Sequence, residues 1–535
     1  MKKFYFLSVS FLSIFIFSSL SFGQIPNSSN GIKTNIINTT SSSTTVEFIL
    51  NRYDQTTINI NGTPTVFYKI PGSIWLMEKG FPQMPTHRAS IIIPDLAGMN
   101  YRIISREFRT ISTITVTPSK GHFTRDIDPS DVPYIFNEVY NQDVWYPENN
   151  FSLDAPYIVR ELRGQTIQFN PMQYNPVQGK LRICTRIVVE IYADPSANVV
   201  NPFVRQKPFS GVTPEFIDIY KSLFINYGTS NYDYVPLDET GRLLIIYPTT
   251  FASNITPFYD WKVEKGMTTL LAEYPTETGT GSAAIKNYIQ NLYNSTEGIT
   301  FIVLVGEASQ IPTMNGTYEG APSDPCYVKL EGTDAYPDAY ISRISPSSSD
   351  NLDYIIYKFI KYEKYPDTGP EAGWYLKGTG VASNEDGGTG TYDWERMNLI
   401  RNMLIENMFF TTVDQIYDPG ATAAQVTTVI NEGRSIVNYI GHGSGTSWGT
   451  TGFGNSNIYN LSNEYKNPFV FDVSCDNGDF TMSECMEEAW VRAGGTANPK
   501  GAIGAFGAST LASWVPPCDM QNHSMFLLTT REKQT

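Results

Sequence analysis

Histidine and cysteine are both scarce, four of the first and five of the second in 535 residues. Few cysteines, and an odd number, cannot build a disulfide scaffold and leave at least one thiol free or paired outside the chain; Cys475 is the candidate. The histidines are scattered and no cysteines form ligand-spaced pairs, which excludes the usual catalytic zinc arrangements. Basic residues are outnumbered, 38 Lys and Arg against 53 Asp and Glu, for a net charge of −15. That balance argues against a nucleic-acid partner and for solubility. Beyond the first two dozen residues no apolar run is long enough to cross a bilayer, so no membrane span is expected.

What is present falls into three stretches. Residues 1–23 open on Lys2 and Lys3, run apolar from Phe4 to Phe17 and close on Ser21, Phe22 and Gly23. A basic start, a short apolar centre and small residues at the end make a secretory signal peptide, so the expected location is secreted or cell surface. Residues 24–235 carry short β-branched runs, at 44–50, 89–94 and 181–192, separated by Asn, Gly and Pro. This spacing predicts an all-β sandwich or barrel, which by itself reads equally as a carbohydrate- or protein-binding module. A polar stretch at 227–233 has the look of an exposed linker. Over residues 236–535 buried strands (243–247, 300–305, 378–382) alternate with helix-period segments (283–292, 351–363, 394–408, 423–432). Alternation of this kind predicts βαβ units and an α/β domain with a mainly parallel sheet covered on both faces.

The chemistry concentrates between residues 435 and 480. The run Ser435-Ile436-Val437-Asn438-Tyr439-Ile440 breaks into Gly441-His442-Gly443, and Phe469-Val470-Phe471-Asp472-Val473-Ser474 breaks into Cys475-Asp476-Asn477-Gly478. Both read as buried strands, which puts His442 and Cys475 just past their carboxyl ends, where open α/β sheets hold ligands. A cysteine near its free pKa is mostly protonated at neutral pH, and only the thiolate attacks a carbonyl, so an adjacent imidazole must take or hold the proton. Gly443 leaves its N–H unobstructed, and with the Cys475 N–H it can face the oxyanion of a tetrahedral intermediate. Isolated Cys and His at strand ends are also commonly plain packed residues. Against that, His442 alone of the four histidines is framed by glycines after a buried strand. A third strand, ending at Ala382, leads into Ser383-Asn384-Glu385. Glu385 then shares the sheet edge, where a carboxylate can accept from the far imidazole nitrogen; the alternative is an acidic loop capping the next helix.

Asn438-Tyr439-Ile440-Gly441-His442-Gly443-Ser444, followed by Pro468-Phe469-Val470-Phe471-Asp472-Val473-Ser474-Cys475-Asp476-Asn477-Gly478-Asp479-Phe480, closely resembles the gingipain family of cysteine peptidases. These belong to a caspase-like group in which His-Gly and Ala-Cys follow successive strands; Ser474 stands where alanine is usual. The resemblance covers nearly the whole chain. It implies a caspase-like peptidase domain over 236–535 and a gingipain-type propeptide over 24–235, which Pro118-Ser119-Lys120-Gly121 and Leu162-Arg163-Gly164-Gln165 resemble. The implied function is a secreted cysteine endopeptidase zymogen that cuts protein or peptide substrates after Arg or Lys and is inhibited by its own propeptide. Export by the type IX secretion machinery is implied with it.

The same resemblance assigns Glu385 to the active site and carries an acidic S1 residue to Asp393, in Tyr392-Asp393-Trp394-Glu395. A partly buried acid needs a cation to offset its desolvation, and a substrate Arg or Lys supplies one; a helix N-cap is the plainer reading of Asp393. Ala508-Ser509-Thr510-Leu511-Ala512-Ser513-Trp514 resembles the S1 wall, with Trp514 packing on the substrate's basic side chain, although Trp514 can equally be core. Arg125 is suited to fill such a pocket as a pseudo-substrate; otherwise it is a surface arginine paired with Asp126 or Asp128. The chemistry needs no cofactor. Structural calcium is possible by resemblance, and Ser323-Asp324-Pro325, Asp334 and Asp338 offer carboxylates, without the spacing of a calcium loop. At the linker Asn231 offers no basic residue for self-cleavage, the next being Arg242.

After Met525-Phe526-Leu527-Leu528 no final strand or helix is expected, and family members usually continue with the rest of the catalytic domain, an immunoglobulin-like domain and a secretion signal. The chain therefore reads as C-terminally truncated. Two other functions stay open: a sortase-like transpeptidase of the type IX secretion system, passing the acyl group to an amine other than water, and a catalytically inactive surface binding protein on the same scaffold.

Overall fold

The computed structural model describes residues 31–206, 211–228, 241–317 and 319–530. The signal peptide, the Asn231 site and most of the expected linker lie outside the described residues.

The N-terminal region is a β-sandwich. One antiparallel sheet runs Ile32–Thr39, Ser43–Leu50, Lys180–Ala193, Met172–Asn175, with Met99–Ser112 also paired to the long Lys180–Ala193 strand. The other runs Ile74–Trp75, Pro85–Ile92, Leu162–Phe169, Phe151–Val159. Alternating residues turn inward from both sheets: Val46, Phe48, Ile187 and Val189 from one meet Ile91, Ile167 and Phe169 from the other. The rings of Phe48 and Phe169 stack across the gap at 5.2 Å. Burying each such side chain contributes about 2–3 kcal/mol.

The C-terminal region is α/β, and its parallel pairing is divided between two sheets. A four-stranded sheet has the order Thr269–Tyr274, Leu243–Pro248, Phe301–Val305, Tyr340–Ile344. A five-stranded sheet has the order Thr412–Tyr417, Lys377–Ala382, Ile436–Ile440, Phe469–Val473, Gly504–Phe506. Central strands are mostly apolar on both sides because helices cover both faces, with Asn438 and Asp472 as buried polar exceptions. Val437, Tyr439 and Val470 pack with Val426 and Ile430 of helix Ala423–Glu432 and Trp490 of helix Met486–Arg492. Ile436, Ile440 and Phe471 pack with Met397 and Leu404 of helix Asp393–Met408 and Met520 and Met525 of helix Pro516–Thr530. Gly380 has to lack a side chain, since a Cβ there would come within 2.5 Å of Met397.

Helix Pro516–Thr530 contains Met525–Leu528 in its last turns, and the residues after Thr530 lie outside the described ones. Its buried face is partly polar: Gln521 and Ser524 are both 2% exposed or less, and Gln521 Nε2 donates to Asn438 Oδ1 at 3.0 Å and to the Phe471 carbonyl at 3.2 Å. An apolar period is therefore missing from a helix that is nonetheless core.

Register sets up the site. Ala382, Ile440 and Val473 lie abreast, and the ladder runs one residue further through Ser383 N to Ile440 O (3.0 Å) and Gly441 N to Val473 O (3.2 Å). The three loops carrying Glu385, His442 and Cys475 thus leave the same sheet edge side by side.

Candidate active site

The His442 and Glu385 loops meet directly. His442 Nε2 lies 2.9 Å from Glu385 Oε2, with both side chains a little over one-third exposed (36% and 37%), so solvent screens the pair. The His442 backbone is fixed from two sides: its carbonyl accepts from Tyr439 Oη at 2.7 Å and from Gly449 N at 2.8 Å. The Cys475 loop then presses against the histidine loop. A Cβ on Gly443 would lie 2.3 Å from the Cys475 carbonyl, so glycine is needed there for close approach as well as for an open N–H. Directly after the cysteine, Asp476 adopts φ 58°, and the chain turns away sharply.

Cys475 is buried, and its Sγ accepts from Ala512 N at 3.3 Å. Thiol and imidazole, expected to meet as a dyad, are not hydrogen-bonded to each other here: the histidine holds Glu385 and the sulfur holds Ala512. Burial pushes the Cys475 thiol up, only partly countered by the Ala512 N–H; the Asp476 charge adds to the rise, the Arg125 charge opposes it, and Asp126 adds a smaller rise. In this form the sulfur is a protonated, shielded thiol. All five cysteines are unpaired thiols, so Cys475 is one of several rather than a lone free one.

Asp393 and Trp514 form a second centre beside the first, and Arg125 fills it. The Arg125 side chain, fully buried, donates from Nη1 to Asp393 Oδ2 at 2.6 Å and from Nη2 to Asp393 Oδ1 at 2.9 Å. Nη2 also donates to the Trp514 carbonyl at 3.0 Å and to Cys518 Sγ at 3.0 Å, and the guanidinium sits 4.6 Å from the Trp514 ring centre. The surface pairing with Asp126 or Asp128 is therefore not what the residue makes. Nor is Asp393 the helix cap: Tyr392 is the N-cap, its N–H held by Glu395 Oε2 at 2.8 Å, and Asp393 begins the helix with its N–H on the Glu385 carbonyl at 2.8 Å. Trp514 is 5% exposed and stands edge-on to His442 at 5.6 Å, so one indole borders both centres.

Ala512 joins them through the backbone. Its N–H points at Cys475 Sγ while its carbonyl accepts from Arg125 N at 2.8 Å, and Thr124 and Ser513 form an antiparallel bridge. An extended segment of the N-terminal region thus lies along residues 512–514 with its arginine in the pocket. Ser383 and Cys518 belong to this pocket and were not singled out in the sequence. Ser383 Oγ donates to Asp393 Oδ2 at 2.8 Å, and burial pushes the Cys518 thiol up to about 11. Their only signals are position, Ser383 next to a strand end and Cys518 one helical turn after Trp514.

The carboxylates considered for calcium have other partners. Asp324 takes Arg343 Nε and Nη2 at 2.7 and 2.8 Å. Asp334 accepts from Ile158 N and Tyr336 N, and Asp338 from Arg160 N, Leu330 N and Glu331 N. Among the described residues no group of three or more His, Cys, Asp or Glu is arranged to hold a metal, and no helix is long and apolar enough to cross a membrane. Asp334 and Asp338 instead tie the two regions together, as does Arg160, whose Nη1 donates to the Ile299 and Asp338 carbonyls at 3.1 and 2.6 Å.

Residues 237–531 match the family model described as Peptidase family C25, and residues 30–227 match that described as Propeptide_C25. Gingipain R2 of Porphyromonas gingivalis is 32% identical over 520 residues, covering 95% of this chain and 69% of the relative. Lys-gingipain of the same organism is 26% identical over 87% of this chain and 27% of its own length. Among solved structures, the complex of the P. gingivalis RgpB pro- and mature domains aligns at TM-score 0.50 and 31% identity, over 54% of this chain and 69% of that one. The Arg-specific cysteine proteinase gingipain R (RgpB) aligns at TM-score 0.50 and 29% identity, over 56% of this chain and 75% of that one.

Proposed function

We infer the function of this protein from one premise: the chain belongs to peptidase family C25, the gingipain-type cysteine endopeptidases, and carries that family's propeptide ahead of the peptidase region. The chain is an exported zymogen whose peptidase cleaves after arginine, held latent by its own propeptide with Arg125 in the S1 pocket.

The reaction follows from the groups at the sheet edge. Once the propeptide leaves, the Cys475 proton passes to His442, and the sulfur attacks the scissile carbonyl carbon to form a tetrahedral oxyanion. The N–H groups of Gly443 and Cys475 receive that oxyanion. Its collapse breaks the C–N bond, the amine leaves with the proton from His442, and a thioester remains. Water, deprotonated by His442, attacks the thioester and releases the carboxylic acid and the thiol. Glu385 orients the imidazole and stabilises its charged form.

Arginine rather than lysine is the favoured P1 residue. Asp393 meets Arg125 through two parallel N–H···O bonds, a planar fork that a single ammonium cannot reproduce. The solved relative named Arg-specific agrees with this choice. The observation that carries the reading is Arg125 itself, seated on Asp393 and Trp514 with its backbone on Ala512, the residue that also touches the Cys475 sulfur.

The test is hydrolysis of short peptide amides with Arg, Lys, Ala or Asp at P1, by protein freed of residues 1–235 under reducing conditions, beside Cys475→Ala. Cleavage after Arg that vanishes in the variant is expected. Cleavage only after other residues would remove the roles of Asp393 and Arg125 while leaving the nucleophile. Hydrolysis retained by Cys475→Ala would remove the mechanism.

A further inference from the structure

Beneath the Cys475 loop lies a pair of buried carboxyl groups that the chemistry above does not use. Asp472, on the strand leading to Cys475, is 1% exposed, and Glu487, in the first turn of helix Met486–Arg492, is 8% exposed. Asp472 gathers donors from both reacting loops. Its Oδ2 accepts from Trp448 Nε1 at 2.6 Å and Asn477 Nδ2 at 2.9 Å, and its Oδ1 from Ser474 Oγ at 2.5 Å. Ser474 and Asn477 flank Cys475. Trp448 stacks on Tyr439 at 4.6 Å, and the Tyr439 hydroxyl donates to the His442 carbonyl at 2.7 Å. One carboxylate therefore holds the nucleophile loop and, through two aromatic rings, the histidine loop.

Glu487 is placed differently. Both its oxygens are buried without a hydrogen-bond partner of ordinary donor geometry, and the one side chain that acts on its carboxyl through a hydrogen bond is that of Asp472. An isolated buried carboxylate without donors is strongly disfavoured, and two carboxyls in contact cannot both ionise. Burial and the Asp472 charge accordingly raise the Glu487 carboxyl well above its usual range. Burial raises Asp472 as well, and a proton held on Glu487 lets its carboxyl donate to Asp472 instead of opposing it. The other titratable groups facing it do not supply a cation. Glu488 is engaged by Arg492 and Ser345, while burial holds Cys485 and Tyr439 far up and neutral.

We propose that Asp472 and Glu487 act as positioning residues, a proton-sharing pair that fixes the Cys475 and His442 loops against each other, so that turnover requires Glu487 to keep its proton. The proposal rests on the reading of Cys475 and His442 as the reacting groups. When Glu487 ionises, a second negative charge is buried against Asp472, the carboxyls separate, and the bonds to Ser474, Asn477 and Trp448 are pulled out of line.

The experiment compares wild type, Asp472→Asn, Glu487→Ala and Glu487→Gln across mildly acidic to alkaline pH, each freed of its propeptide. kcat on an Arg amide is expressed per reactive Cys475 thiol, so that loss of folded protein does not count as loss of rate. Asp472→Asn and Glu487→Ala are expected to lose about 10- to 100-fold in kcat with little change in KM. Glu487→Gln, which keeps a donor toward Asp472 and cannot ionise, is expected to recover most of the Glu487→Ala loss and to move the alkaline limb of kcat upward by about one pH unit or more. An alkaline limb unchanged in Glu487→Gln would overturn the proposal, as would wild-type kcat per thiol in Asp472→Asn. The pH profile of Cys475 alkylation by iodoacetamide gives a second readout. A wild type that hydrolyses no amide sinks the proposed function, and the alkylation profiles of wild type and Glu487→Gln then judge the pair.

Discussion

Replacing Arg125 by alanine in the intact zymogen isolates the contribution of one side chain to latency. The substitution removes two charge-assisted bonds to Asp393, at 2.6 and 2.9 Å, together with contacts to the Trp514 carbonyl, the Trp514 ring and Cys518. Asp393, 2% exposed in the intact protein, keeps Ser383 as its remaining side-chain donor. Breaking a buried pair from one side costs about 3–5 kcal/mol, because the surviving charge is stranded. That weakens the hold of the propeptide on the pocket by roughly 100- to 5,000-fold. Two assays read it. Basal hydrolysis of a peptidyl-Arg amide by the uncleaved zymogen should rise, and benzamidine, an amidinium that fits the vacated pocket, should raise the melting temperature of Arg125→Ala but not of wild type. Contacts elsewhere, such as Arg160 with the Ile299 carbonyl and Lys69 with Thr391, can keep the propeptide attached, so the benzamidine shift is the stricter test. An Arg125→Ala zymogen that stays fully latent and gains no benzamidine response would refute the reasoning.

Other expectations concern the same machinery. Glu385→Gln should lower kcat about tenfold to a hundredfold with little change in KM, since the amide still accepts from His442 but no longer stabilises its charge; an unchanged kcat would show that the partly exposed pair is idle. Removing the propeptide should accelerate alkylation of Cys475 at fixed pH, because burial is the largest cause holding the thiol up and outweighs the lowering by the Arg125 charge that leaves with the propeptide; equal rates would contradict this. Acid should loosen the β-sandwich through His87, whose imidazole burial lowers to about 4. A depressed histidine contributes stability that is intact above its ordinary pKa of about 6.5 and is lost as pH falls toward the folded value, about 3 kcal/mol in all. The melting temperature of the N-terminal region should therefore fall between neutral pH and about 4, and His87→Gln should flatten that slope, a result that circular dichroism at stepped pH can check.

Much of the C-terminal region was legible because its strands are buried on both faces and end in polar turns. The runs 436–440 and 469–473, and with them the neighbourhood of His442 and Cys475, follow from a local pattern. Strands Thr269–Tyr274 and Thr412–Tyr417 were not read, since they lie at sheet edges and carry polar residues such as Glu273, Asp414 and Gln415. Helix Pro516–Thr530 was missed for the related reason that Gln521 and Ser524 are buried by hydrogen bonding, which no hydrophobic period registers. The Arg125–Asp393 pair joins residues 268 apart, and nothing local to either residue specifies the other. Family resemblance suggested the pocket; the geometry supplied Ser383 and Cys518, whose part in it depends on how a strand end and a helix start are brought together.

The bridge between Thr124 and Ser513, with Arg125 N on the Ala512 carbonyl, has a consequence for which proteins this peptidase can cut. A substrate that binds as the propeptide does must offer main-chain groups that are not already committed to a helix or a sheet of its own. An arginine in the middle of a stable helix is then invisible to the enzyme until that helix opens. With the arginine specificity proposed above, cleavage of a folded target is expected to track the free energy of local unfolding around its arginines, so that selectivity among proteins comes from their dynamics as much as from their sequences.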